Sequence, residues 1–222
     1  MKKRIICLIT VVAILLSFSP IVSADTSLET KLYNLYDARG YQGYTVTVVA
    51  DQPVYNSRNC IGTDYGVGHT FIRVSKHGTG GWVSYFGWYP DTTLGQKDII
   101  LNVSVPGRLA WMDDASHTWD VAKVFEVSEA NANKIIDFAQ VWEDTAWGSE
   151  YNLESNNCTT FAITCLSSIG ITSTQHGITQ HTWTKPTWLT DQNVIAKILS
   201  FHGYTPADAA QDMRAKGGYL VR

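Results

Sequence analysis

The chain has 222 residues, of which 45% are hydrophobic and 17% are charged, and its formal net charge is −3. Lysine and arginine are scattered singly along the sequence, so it lacks the basic cluster that is typical of nucleic-acid-binding proteins. No apolar run after the first 24 residues is long enough to span a bilayer. We therefore expect neither a nucleic-acid partner nor a membrane span.

The first 24 residues have the pattern of a secretory signal peptide. Lys2, Lys3 and Arg4 precede the apolar run 5–16, and residues 22–24 are small enough for cleavage. Removal of this segment takes away three positive charges and no acidic ones, which changes the formal net charge from −3 to −6. We expect a secreted protein in which residues 25–222 form a single domain.

The first half of that domain is rich in β patterns. A capping box at residues 26–29 begins a short amphipathic helix that ends at Gly40. Runs of β-branched and aromatic residues then predict five strands, at 44–50, 69–75, 82–88, 98–105 and 121–127. The glycine-rich stretch 76–81 predicts an antiparallel hairpin between the second and third of these strands.

The second half is predicted to be mainly helical. Ser128 can cap a second helix, and residues 158–169 form the clearest helical pattern, with Asn156 or Asn157 as its N-cap and Gly170 at its end. The segment 171–189 is polar and irregular, and we predict a long surface loop that could lie over a cleft. Two more helices are predicted near 191–201 and 205–217. The fold class is therefore α+β, with one sheet of about five strands.

Three cysteines remain after the signal peptide, so at least one thiol should be free. Cys158 and Cys165 are seven residues apart, which is about 10 Å of helical rise and exceeds the span of about 7 Å that a disulfide tolerates. A disulfide between Cys60 and Cys165 is conceivable and would leave Cys158 reduced. His176 and His181 lack companion ligands, so we expect no metal and no cofactor.

Cys158 is placed where a thiol can act as a nucleophile. The N-terminus of a helix favours the thiolate, because the helix dipole and the unpaired backbone N–H groups stabilise negative charge there. Such a thiolate also needs an imidazole within hydrogen-bonding distance. His69 is the candidate, since it follows the flexible residues 66–68 at the beginning of a predicted strand. The alternative interpretation of Cys158 is a small buried core residue.

Two segments resemble a known group of enzymes. Residues 68–74, Gly-His-Thr-Phe-Ile-Arg-Val, are followed much later by residues 156–162, Asn-Asn-Cys-Thr-Thr-Phe-Ala. This pair resembles the circularly permuted branch of the NlpC-like papain superfamily, which includes cell-wall peptidases and amidases and the lecithin:retinol acyltransferase-like enzymes. In ordinary papain-like enzymes the cysteine helix precedes the histidine strand, whereas here the order is reversed, as in that branch.

The resemblance implies a central helix whose N-terminal cysteine faces a histidine on the adjoining sheet. Cys158 would then be the nucleophile and His69 the base, with the backbone N–H of Cys158, helped by Asn157, as the oxyanion donor. A third polar residue should orient the imidazole from the neighbouring strand, where the family often has a histidine. This sequence offers Ser84 or Tyr85 there, and their side chains point to opposite faces.

These features favour a secreted cysteine hydrolase that cleaves an amide bond through an acyl-enzyme. Peptide stems of peptidoglycan are the expected substrate, since the cell wall is the amide-rich polymer that an exported enzyme meets first. One alternative is an acyltransferase or thioesterase that uses the same Cys158 and His69. Another is a binding or toxin-like module that keeps the fold without catalysis.

Overall fold

A computed structural model describes the chain at residues 27–63, 66–95, 98, 102–111, 116–142, 144–145, 148–184 and 188–222. The predicted signal peptide lies outside these residues, and so does Thr26, the first residue of the predicted capping box. Within the described residues, no helix has the combination of length and apolar composition needed to cross a bilayer.

An antiparallel sheet of seven strands lies at the centre of the fold. The strands run in the spatial order β6-β4-β3-β2-β1-β5-β9. They are β1 (Tyr44–Asp51), β2 (His69–Lys76), β3 (Trp82–Pro90), β4 (Val105–Trp111), β5 (Val121–Val127), β6 (Glu150–Tyr151) and β9 (Tyr219–Val221). Two short strands, β7 (His181–Thr182) and β8 (His202–Gly203), pair separately.

Helices cover both faces of this sheet. They are α1 (Leu28–Leu35), α2 (Glu129–Trp142), α3 (Cys158–Ser168), α4 (Ser173–His176), α5 (Gln192–Ile198) and α6 (Pro206–Lys216). The larger face packs against α2, α3 and α6, and α3 contacts the central strands β2 and β3. The smaller face packs against α1. The cysteine-bearing helix α3 therefore lies over the middle of the sheet.

The alternation of side chains along the strands explains this arrangement. Phe86 and Trp88 of β3 point to the larger face, where they pack around Phe161 of α3. Tyr85, one residue away, points to the smaller face and packs against Phe71. Burial of each of these aromatic side chains contributes about 2–3 kcal/mol to the stability of the fold. Because both faces of the sheet are covered, β2 is buried along nearly its whole length.

The predicted α+β class is confirmed, and so are four of the five predicted strands. The fourth prediction, 98–105, is wrong, because the strand in this region begins at Val105; residues 99–101 lie outside the described part. Pro106 and Gly107 weaken the strand signal of β4, yet Gly107 pairs with Pro90 and leaves room for the Trp88 ring. The edge strands β6 and β9 are too short to be recognised in the sequence.

The prediction of a long surface loop at 171–189 is also wrong. This segment contains α4 and β7 and buries Ile171, Ile178, Trp183 and Leu189. These four apolar side chains reach the core although the residues between them are mostly polar. Residues 185–187 lie outside the described part. The segment therefore belongs to the packed structure.

A hydrogen-bonded cluster fixes the β2–β3 hairpin to the turn after α1. The Nε2 atom of His77 lies 2.9 Å from the hydroxyls of both Thr45 and Ser75, and its Nδ1 atom lies 2.9 Å from Asp37. The order serine, histidine, aspartate resembles a proton relay. However, Ser75 is only 2% exposed and shares its hydroxyl with Thr45, so we assign the cluster a structural role.

Substitution of Gly107 by alanine should destabilise the protein by about 1–3 kcal/mol, as overpacking of a core does. A Cβ at this position would collide with the Trp88 ring. Gly95→Ala is the matched control, because its Cβ would make an ordinary contact with Asp98 at 3.4 Å, and it should change stability by less than about 0.5 kcal/mol. Urea unfolding of both variants measures the difference, and equal midpoints would contradict the packing described for β4.

Candidate active site

Asn157 sets the position of Cys158 at the beginning of α3. It is the N-cap, with extended backbone, and its Oδ1 atom accepts hydrogen bonds from the backbone N–H groups of Thr159 at 2.9 Å and Thr160 at 3.0 Å. Of the two asparagines predicted as caps, Asn157 is therefore the one. Cys158 is the first helical residue, so its side chain lies at the positive end of the helix dipole.

The amide nitrogen of Asn157 is fully occupied as well. Its Nδ2 atom donates to the carbonyl oxygens of Leu153 at 2.6 Å and Tyr204 at 2.7 Å. Since both amide hydrogens are used, the side chain has no further donor for an oxyanion. The expectation that Asn157 assists the oxyanion hole is corrected accordingly: its side chain joins α3 to two loops, and the backbone N–H of Cys158 is left as the candidate donor.

His69 reaches the thiol from the beginning of β2. Gly68 precedes it with a φ of +73°, a left-handed conformation that favours glycine, and a Cβ there would collide with the carbonyl oxygen of Asp51. The next residue, Thr70, shares a hydroxyl hydrogen bond of 2.9 Å with Thr159 of α3. The structure thus brings the two predicted residues together, with His69 close enough for hydrogen bonding and charge from its imidazole to lower the pKa of the Cys158 thiol.

The pKa of Cys158 is lowered although its thiol is buried. Burial is the largest single influence and raises the pKa, because it disfavours the thiolate. Hydrogen bonding and charge from His69, the backbone N–H of Thr70 and the hydroxyl of Tyr151 act in the opposite direction and together outweigh burial. The site therefore favours the ionised, nucleophilic form of the sulfur.

Tyr151 is a part of the site that the sequence did not reveal. Its hydroxyl lies 3.9 Å from the Cys158 sulfur and donates toward it, and the residue is only 4% exposed. Burial and the neighbouring sulfur raise the pKa of Tyr151, so the phenol stays protonated as a donor. The pattern around Glu150 and Tyr151 gives no sign of this role, since the two-residue strand β6 brings Tyr151 to the thiol only through pairing with β4.

The residues beside His69 are not the two that were expected. Tyr85 uses its hydroxyl with Glu29 and Arg73 on the smaller face of the sheet, and Ser84 lies opposite Val74. The imidazole instead packs against the ring of Tyr89, at 4.3 Å between ring centroids. Tyr89 belongs to β3, which extends two residues beyond its predicted end.

His117 also lies beside His69. The centroids of the two imidazoles are 5.0 Å apart. The Nδ1 atom of His117 donates to the carbonyl oxygen of Thr118 at 2.9 Å, and the Thr118 hydroxyl donates to Asp51 at the same distance. His117 had no functional context in the sequence, because only the fold brings the loop before β5 next to the beginning of β2.

A small recess adjoins the thiol. Its volume is about 10 Å³, room for about one water molecule, and Cys158 itself is 1% exposed. The walls are mostly apolar and are formed by Cys60, Val67, Tyr151, Leu153, Asn157, Cys158, Trp183, Tyr204, Thr205 and Pro206. A reagent or substrate that reaches the sulfur through this recess must therefore widen it.

The other cysteines are free and poorly suited to nucleophilic chemistry. The conceivable disulfide between Cys60 and Cys165 is not formed. The Cys60 thiol instead donates to the carbonyl oxygen of Thr184 at 3.3 Å, and burial raises its pKa to about 12. Cys165 is completely buried two turns inside α3, and burial alone raises its pKa well above the usual range. Cys158 is thus chemically distinct from both.

An ion-pair cluster holds α6 in place behind the recess. Arg58 contacts Asp208 at 2.8 Å and Asp212 at 2.7 Å, and His181 lies 3.0 Å from the Asp212 carboxylate. Burial raises the pKa of Asp212, but its bonds to Arg58, His181 and Thr179 outweigh burial and lower the pKa overall. The two aspartates are one helical turn apart, so a single arginine can bind both.

His176 and His181 do not approach one another as metal ligands. The Nδ1 atom of the buried His176 accepts a hydrogen bond from the backbone N–H of Ile178, whereas His181 belongs to the ion-pair cluster. Among the residues that the structure describes, no group of three or more histidine, cysteine, aspartate or glutamate side chains could hold a metal ion.

Comparisons with known proteins found no relative of this chain. No family model, no curated protein and no solved structure matches the chain. The site must therefore be interpreted from its own geometry.

Replacement of Asn157 by alanine should destabilise the protein by about 2–4 kcal/mol. The variant loses the helix cap, which costs about 1 kcal/mol, and leaves two carbonyl oxygens without their donor. Asn193→Ala, at an exposed position near the beginning of α5, is the control and should change stability by less than about 0.5 kcal/mol. Thermal and urea unfolding measure both, and a neutral effect of Asn157→Ala would contradict the role assigned to its four hydrogen bonds with backbone groups.

Proposed function

We propose that this protein is a secreted cysteine hydrolase that cleaves an amide bond through an acyl-enzyme on Cys158. The observation that carries the proposal is the position of the Cys158 thiol at a helix N-terminus beside His69, whose hydrogen bonding and charge lower the pKa of the thiol. Neither burial in a core nor helix packing requires an ionisable partner of this kind. Perturbed titration at a recess is instead typical of catalytic groups.

In the first half of the reaction, the Cys158 thiolate attacks the carbonyl carbon of the substrate. The carbonyl oxygen becomes an oxyanion, for which the backbone N–H of Cys158 is the nearest donor at the helix end. The phenol of Tyr151, which donates toward the sulfur at 3.9 Å, is a second candidate donor. His69 then gives its proton to the leaving amine, the carbon–nitrogen bond breaks, and a thioester remains.

In the second half, water replaces the amine. His69 takes a proton from the water, which attacks the thioester carbonyl, and the carbon–sulfur bond breaks to release a carboxylic acid and the thiolate. Tyr89 and His117 pack against the imidazole and restrict its orientation. In this proposal they take the positioning role that the permuted papain-like pattern assigns to a polar residue on the neighbouring strand.

The proposed substrate is a peptide stem of peptidoglycan. The secretory pattern of residues 1–24 and the resemblance of residues 68–74 and 156–162 to the permuted NlpC-like branch support this class. The assignment to that branch is likewise a proposal, and it agrees with the position of α3 against β2.

Acyl transfer is the second candidate function. The specific observation in its favour is the apolar lining of the recess, where Val67, Leu153 and Trp183 surround the approach to Cys158. Exclusion of water next to a thioester favours attack by an amine or alcohol over hydrolysis. The same nucleophile and base would serve both reactions.

Alkylation kinetics test the nucleophile. A lowered pKa means that Cys158 is ionised below the pH at which an ordinary thiol is, so iodoacetamide should modify it with an inflection clearly below pH 8.5. His69→Ala removes the largest favourable interaction and should move the inflection upward, and Tyr151→Phe should move it in the same direction by less. Peptide mass spectrometry should assign the adduct to Cys158, because burial raises the pKa of both other cysteines.

The control for these variants is His202→Ala, which removes an exposed histidine that does not line the recess. It should leave the pH profile unchanged. Two outcomes would contradict a catalytic pair and favour a binding module without catalysis. One is a wild-type pH profile of alkylation like that of an ordinary thiol, and the other is an equal shift of the inflection in all variants.

Digestion of purified peptidoglycan identifies the bond. The wild type should release peptide fragments with a new carboxylate and a new amine, and Cys158→Ser should release none while it keeps its fold. Addition of glycine methyl ester as an amine acceptor distinguishes the two candidate functions, since a transferase would give the amide product in place of the acid. An unchanged fragment pattern together with equal wall binding by both proteins would refute hydrolysis.

A further inference from the structure

Trp183 forms a rigid wall of the recess beside the thiol. Its backbone N–H donates to the carbonyl oxygen of Phe201 at 3.0 Å, and it directly follows β7, which is paired with β8. The next residue, Thr184, bridges to Asn59 and accepts the thiol hydrogen of Cys60. Bonds on both sides of Trp183 therefore fix its backbone, and its ring packs edge-on against Phe201 at 5.2 Å between ring centroids.

The indole N–H of Trp183 is buried and has no hydrogen-bond partner within the described part of the chain. The side chain is only 2% exposed, so bulk water does not satisfy it. An unsatisfied buried donor is costly and is usually explained by a ligand or an ordered water. Trp88 and Trp142 also have unsatisfied indoles, but both lie in the aromatic core and neither lines the recess.

The size of the recess restricts what this donor can meet. Space for about one water molecule is enough for a methyl group but not for a branched side chain. The apolar walls formed by Val67, Leu153 and Pro206 suit such a group. A substrate with a small apolar substituent next to the scissile carbonyl could therefore enter beside Cys158 without displacing the fixed wall.

We propose that this recess is the acyl-side subsite of the enzyme, and that Trp183 is its specificity-determining residue. The subsite takes a methyl-sized group, as in an alanyl residue, and the indole N–H donates to an oxygen of the substrate main chain on the same side of the bond. This inference rests on the proposed function, because it assumes that Cys158 is acylated.

Acylation by two matched thioesters tests the subsite. Acetyl-alanyl and acetyl-leucyl thioesters of the same thiol are mixed with the wild type, and intact mass spectrometry follows formation of the acyl-enzyme. The wild type should prefer the alanyl probe by at least about tenfold, since a leucyl side chain exceeds the available space. Val67→Ala, which enlarges the recess at a half-buried position, should accelerate the leucyl probe relative to the alanyl probe and so reduce the preference between them.

Trp183→Phe tests the donor. Loss of one hydrogen bond of about 1.4 kcal/mol corresponds to a factor of ten, so acylation by the alanyl probe should fall about tenfold. The smaller ring also leaves more space, so the rate of acylation by the leucyl probe should fall less. The preference for the alanyl probe over the leucyl probe should therefore decrease. Trp142→Phe is the matched control, because it removes another unsatisfied indole N–H away from the recess, and both rates should stay unchanged.

The outcomes separate the two proposals. Equal rates for both probes in the wild type would overturn the subsite while leaving the Cys158 nucleophile intact. Identical behaviour of Trp183→Phe and Trp142→Phe would overturn the donor role and indicate that a bound water satisfies the indole. Failure of both probes to acylate Cys158 would refute the proposed function itself, and the subsite with it.

Discussion

The four hydrogen bonds between the Asn157 side chain and backbone groups are the constraint on which the rest of the site depends. Two of them satisfy backbone N–H groups in the first turn of α3. The other two hold the loops at Leu153 and Tyr204 against the helix. The Asn157 side chain therefore holds both the walls of the recess and the helix end that carries the Cys158 sulfur. A side chain with either the acceptor or the donors alone would fix only half of this arrangement, which explains why an amide suits the position.

The chemistry of Cys158 results from a balance between burial and polar contacts. Removal of the thiol from water disfavours its ionisation, yet the same low-polarity surroundings strengthen the interactions with His69 and Tyr151. Cys165, seven residues further along α3, experiences burial without such partners, and its pKa is raised. The two residues share a helix and a degree of burial, so the difference between them comes from the helix N-terminus and from the partners on the neighbouring strands.

Local patterns were sufficient for the elements that carry the pair. Helix α3, its cap at Asn157 and strand β2 with the following hairpin could be predicted because capping, periodicity and glycine positions are encoded within a few residues. Tyr151, Tyr89 and His117 could not be predicted, since their roles arise from pairing and packing between distant segments. The prediction of β3 stopped at Trp88, one residue before the ring that packs against His69, and strand ends are set by the partner strand more than by propensity.

The lengths of the outer strands have a consequence for the behaviour of the protein in solution. The described sheet ends in β6, with two residues, and β9, with three. An edge this short offers few unpaired backbone groups, so a second molecule gains little by adding a strand to it. The long, apolar strands β1 and β2 lie in the interior of the sheet, where they are shielded from intermolecular pairing. This order of strands protects the protein from aggregation through its most β-prone segments.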